Sequence, residues 1–101
     1  MVSNSEEYNN FIERQNYYNN TLVKTIRTLV EENSNCWKGT LKTLNEEHRK
    51  RFHRVYSNSE IKLKHELHKI ESQLMSYDNI VYIPSQYPTK EGRIQTFKRE
   101  R

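Results

Sequence analysis

The chain has no alanine, two glycines, two prolines and one cysteine among its 101 residues. Each shortage excludes something. Gly39 and Gly92 lie far apart, so no glycine-rich phosphate loop can form. Cys36 alone cannot close an internal disulfide, which fits a reducing compartment, and it reads as a small buried hydrophobe. No apolar run approaches the ~20 residues of a membrane span, and no signal-peptide core is present. Residues 1–13 hold Glu6, Glu7 and Glu13 and no arginine, which argues against a mitochondrial presequence. Apolar residues make up only 33% of the chain, where a globular domain has ~45–50%. The supply of core is thin, and a chain this short is expected to be a single domain at most.

What is abundant is asparagine, charge and tyrosine. Seven Tyr, three Phe and one Trp are too many aromatics for a solvated tail, and a net charge of +4 gives mild self-repulsion, so the chain is expected to order. Ser3 and Glu6 have capping-box spacing. Phe11, Tyr18, Leu22, Ile26 and Leu29 then form a stripe that predicts a first helix over about 6–32. Asn33, Ser34 and Asn35 favour a break. Trp37, Leu41, Leu44, His48, Phe52 and Val55 recur at helical spacing, as do Leu63, Leu67, Ile70, Leu74 and Tyr77. Together they predict a second helix over about 36–77, with a possible kink where Ser57 and Glu60 make another capping box. The run Ile80–Ile83, closed by Pro84 and followed by Pro88 and Gly92, predicts an extended C-terminal arm over 79–101 with a basic tail.

The expected fold is therefore all-α: an elongated helical hairpin, or two long helices, over residues 1–78, followed by that arm. A helix from Trp37 to Tyr77 would run ~60 Å, and a first helix of ~40 Å cannot cover it. So the molecule is expected to lie along partners. The residues expected to face them are Trp37, Leu41, Leu44, Phe52, Leu63, Leu67, Ile70 and Leu74 on the helical stripe, Arg49, Lys50 and Arg54 on its basic flank, and Ile80, Tyr82, Ile83 and Tyr87 on the arm. Segment Lys38–Lys69 holds nine Lys or Arg against four Glu, a net of +5, which suits an acidic neighbour or equally a solvated face with intrahelical ion pairs.

Nothing in the pattern points to catalysis. His48, His53, His65 and His68 are the candidate metal ligands, with His65 and His68 sharing a helix face, but neither an HExxH motif nor a Cys/His cluster accompanies them. No catalytic residue, metal or cofactor is expected, and the reading is non-enzymatic.

Over residues 37–52, Trp37, Leu41, Leu44, Glu46, Glu47 and Phe52 form a pattern that resembles the short helical microtubule inner proteins of ciliary doublet microtubules. The resemblance implies a structural subunit of a large assembly, in the cilium and cytoskeleton, with tubulin or other assembly subunits as protein partners. Two other readings stand beside it. One is a basic nucleic-acid-associated helical protein, such as an organellar ribosome subunit, with tyrosines such as Tyr17 and Tyr18 stacking on bases. The other is a homodimeric helical bundle acting as an interaction module.

Overall fold

Asn20 divides the N-terminal helical third of the chain. Its backbone is extended (φ −68°, ψ 121°), and its side-chain Oδ1 accepts from the amides of Leu22 at 2.8 Å and Val23 at 3.3 Å. That is an N-cap, which ends helix α1 (Val2–Asn19) and starts helix α2 (Thr21–Glu32). The single helix expected over 6–32 is therefore two. The structure, a computed structural model, describes residues 2–90 and 92–100. The side chains of Ser3 and Glu6, the expected first capping box, lie outside the described residues.

α2 buries Leu22, Val23, Ile26, Leu29 and Val30 on one face. Ser34 (φ 59°) and Asn35 (φ 69°) then adopt left-handed conformations, which turns the chain into strand β1 (Cys36–Thr40). Thr40 ends the strand and caps helix α3 (Leu41–Phe52) by accepting from the Thr43 amide at 3.1 Å. His53 closes α3 in a left-handed conformation (φ 63°). Residues 54–57 are tied back to α3 by Asn45, which donates to the Ser57 carbonyl at 2.8 Å and accepts from the Tyr56 amide at 3.0 Å. Ser59 caps helix α4 (Glu60–Asp78), and Asn79 (φ 56°) turns it into strand β2 (Ile80–Thr89). A hairpin leads back along strand β3 (Gly92–Arg99).

The three strands form one antiparallel sheet in the order β1-β3-β2, with Trp37 opposite Phe97 and Phe97 opposite Tyr82. Those three rings build the centre of the sheet's inner face: Tyr82 stacks on Phe97 at 5.0 Å and 14°, and Trp37 lies 6.2 Å from Phe97. The β2–β3 register breaks between Pro84 and Pro88, where the prolines lack ladder donors.

This corrects the all-α expectation: the fold is mixed, with helices packed against a three-stranded antiparallel sheet. The second helix expected over 36–77 is a strand, two helices and a connection. Trp37 sits at helical spacing from Leu41 although it belongs to a strand, so the period misleads there. The C-terminal arm is extended, but it is a hairpin folded onto the body. The rod is also overturned. The Cα radius of gyration is 14.7 Å, against ~13 Å for a compact chain of this length, over extents of 56 × 31 × 24 Å. The chain shelters a core of its own from α2, α3, α4 and the sheet, with Leu22, Ile26, Leu44, Leu63, Leu67, Leu74, Ile80 and Phe97 fully buried.

Candidate functional site

α4 is buried along Leu63, Leu67, Ile70 and Leu74. A helix with one face sunk must turn the opposite face outward. On it Ile61, His65, His68 and Ser72 fall on one line at spacings of about one turn, all exposed, with Ile61 at 71%. Exposed Lys62 and Lys69 flank that ridge on one side. No carboxylate stands on the line itself.

The acidic side chains of α4 sit to the sides: Glu60 is exposed in the first turn, and the other three are engaged. Glu66 accepts from the Tyr56 hydroxyl at 3.2 Å and lies 4.0 Å from the Lys69 ammonium. Glu71 lies 3.6 Å from His68 Nδ1. Asp78 accepts from the Tyr17 hydroxyl at 2.5 Å and pairs with the Arg27 guanidinium at 3.1 Å. Burial, reinforced by Asp78, raises the Tyr17 phenol well above its ordinary value, so it remains a donor that pins α1 to the end of α4. Burial also raises Tyr56, with Glu66 adding to the effect.

Clefts run along both sides of the ridge. One, of about 580 Å³, lies against the α3–α4 connection and is lined by Arg54, Lys62, His65 and Glu66, with His48 among its walls. His48 is fully buried and bonded through both ring nitrogens: Nδ1 lies 2.6 Å from the Arg54 carbonyl and Nε2 lies 2.8 Å from the Thr21 hydroxyl. Nδ1 donates to the carbonyl, which can only accept, and Nε2 meets a hydroxyl that can donate or accept, so both contacts are satisfied. His48 thus fastens the connection to α2 and α3, which fixes where α4 begins. The second cleft, of about 380 Å³, lies between α4 and β2 and is lined by His68, Glu71, Ser72, Met75, Val81 and Tyr82. Its wall is firm, because the buried Tyr82 hydroxyl donates to Gln95 on β3. Burial, with Glu71 adding, pushes that phenol up to about 12. Beyond the wall the hairpin carries exposed Lys90 and Arg93 at its turn, where Gly92 takes φ 115°.

The residues expected to face a partner divide into three sets. Trp37, Leu44, Leu63, Leu67, Ile70, Leu74, Ile80 and Tyr82 are buried in the chain's own core, so no partner meets them; Leu41 and Phe52 are partly covered by the same body. Arg49, Lys50 and Arg54 are exposed, and the first two pair within α3 to Glu46 at 2.8 Å and to Glu47 at 3.1 Å. Ile83 is 48% exposed, while the Tyr87 side chain lies outside the described residues. Among the described residues no group of three or more His, Cys, Asp or Glu is placed to hold a metal ion. Among the described residues no helix is long and apolar enough to cross a membrane either. The ridge on α4 and the hairpin turn were not singled out as a surface by the sequence. His65 and His68 drew notice only as metal candidates, and the signal that was available was their place opposite the Leu63–Leu74 stripe.

Comparison with protein-family models, with curated proteins and with solved structures found no match.

Proposed function

We propose that the chain binds double-stranded DNA, with the ridge of α4 in the major groove and the β2–β3 hairpin against the neighbouring backbone. One observation carries this reading: α3 and α4 form a capped helix pair whose second helix presents an acid-free line, Ile61, His65, His68 and Ser72, with Lys62 and Lys69 along one side. The connectivity α2-β1-α3-α4-β2-β3 with sheet order β1-β3-β2 is that of a winged helix-turn-helix. In a helix-turn-helix the second helix enters the major groove, and the first crosses the backbone. Fold alone assigns no function. The chemistry of the exposed ridge supplies the rest.

Charge supports the reading. Arg54 and Lys62 on one side of α4, and Lys90 and Arg93 on the hairpin, stand where the two phosphate backbones would pass. Size supports it as well, since the major groove of B-DNA is ~12 Å wide and admits a helix, whereas that of A-form RNA is too narrow for side-chain readout. The reading is of binding and not of catalysis.

A structural role in a protein assembly, the expectation attached to the microtubule inner proteins, is favoured by one feature, the exposed apolar stripe of α1. Trp37 and Leu44, which carried that resemblance, are accounted for by the chain's own core.

NMR titration of the labelled chain with a short duplex tests the proposal. The amides of Ile61, His65, His68 and Ser72 and those around Lys90 and Arg93 are expected to shift together, leaving the exposed face of α1 unchanged. Shifts confined to α1 or α3, or none at low salt, would overturn it.

A further inference from the structure

Every residue from Glu7 to Asn16 on α1 is exposed. Among the described side chains, the helix meets the body through its last turns. Tyr17 is buried there, Tyr18 packs beside it, and the Arg14 guanidinium lies 5.3 Å above the Tyr77 ring. The rest of an 18-residue helix, ~27 Å long, projects from the molecule. An unsupported helix of that length is marginal in water. Yet the projecting part is not polar all round: Tyr8 is 66% exposed, Phe11 57% and Ile12 39%, and they share one face at i, i+3 and i+4.

From this we infer that α1 is a self-pairing helix whose occupant is the α1 of a second copy, lying antiparallel. The charge pattern chooses both partner and direction. Glu7 and Arg14 stand one heptad apart on the same flank of the apolar stripe. Running antiparallel, with Tyr8 of each copy against the partner's Phe11, the pair brings each Glu7 beside the partner's Arg14, twice by symmetry. A parallel pair brings Glu7 towards the partner's Ile12 and Arg14 towards its Asn19, with no charge satisfied. An isologous contact of this kind needs only one surface, used twice. The shallow groove lined by Glu7, Asn10, Phe11 and Arg14, about 250 Å³, is the seat for the partner's tyrosine edge. The contact is small, so it belongs to the weak end of specific interfaces. The inference goes beyond DNA binding and does not depend on it.

Sedimentation equilibrium of the full chain without nucleic acid tests it, so its failure is read separately from any failure to bind DNA. The wild-type mass is expected to rise from 12.3 kDa towards twice that value as concentration passes through the micromolar range. Phe11→Lys is expected to stay monomeric throughout with an unchanged melting curve, since Phe11 contributes to no core. Glu7→Arg and Arg14→Glu are each expected to be monomeric alone and to form a heterodimer when mixed. A wild-type chain that stays monomeric at every concentration overturns the inference. So does a Phe11→Lys chain that dimerises like the wild type, or a mixture of the two charge variants that fails to associate.

Discussion

Alanine at position 39 would place its Cβ 2.5 Å from the Trp37 ring. Residues two apart on a strand share a face, and here the edge of the indole's six-membered ring lies over the glycine, so an added carbon forces the ring to shift. Trp37 is held by Phe97 on β3 and cannot swing away cheaply. Gly39→Ala is expected to destabilise the fold by about 1–3 kcal/mol, as overpacking does, read as a lower melting temperature with helix content retained. The pH response is also set by single residues. The Arg51 hydrogen bond, with Lys50 adding, holds the Glu47 carboxyl below its ordinary 4.5. A carboxylate with a depressed folded pKa contributes stability that is fully present above 4.5 and is lost as pH falls through the lower folded value. Glu47→Gln is therefore expected to melt lower than the wild type at neutral pH, with the gap closing below pH 4.5. A gap that stays constant across an acid series of melts would contradict that account.

Among the elements, the caps matter most. Asn20 marks the boundary between α1 and α2, within the run Asn19-Asn20-Thr21 of weak helix formers. Asn20→Ala removes two bonds to the Leu22 and Val23 amides and is expected to cost about 0.5–2 kcal/mol, measured by chemical denaturation. The helical stripes of α2 and α4 were legible because Leu22, Ile26 and Leu29, and Leu63, Leu67, Ile70 and Leu74, each bury one face against the same core. The break at Asn33–Asn35 was legible through its turn residues, whereas near Ser57–Glu60 the sequence offered only a kink in one long helix, and the cap there is Ser59 and not Ser57. The sheet was not. β1 and β3 are joined across some sixty residues of sequence, and their pairing rests on Trp37 meeting Phe97, which no local period reports. β3 also alternates buried Gln95 and Phe97 with exposed Lys98, so its end reads as a basic tail when taken alone. The ridge of α4 stayed hidden for a related reason. A solvent face carries no pattern of its own and becomes a surface only once the strand beside it and the connection behind it are in place.

For the molecule as a whole, the core decides what is left over for contact. Because α2, α3, α4 and the sheet enclose the core residues, what is presented outward is the ridge between two clefts, the hairpin with its basic turn and the projecting α1. On the proposed reading the ridge of α4 enters the major groove of a duplex, with the lysines beside it on the phosphate backbone. The most direct test of that reading is equilibrium binding of a mixed-sequence DNA duplex, followed by fluorescence anisotropy from about 50 to 200 mM salt, for the wild type and for Lys62→Gln/Lys69→Gln. Both lysines are exposed, so the variant is expected to fold as the wild type does. Wild-type affinity should fall steeply with salt, and the variant should bind more weakly at every salt with a log–log slope shallower by about 2, one for each lost phosphate contact. Absence of binding at the lowest salt, or a variant whose titrations overlay those of the wild type, would contradict the account.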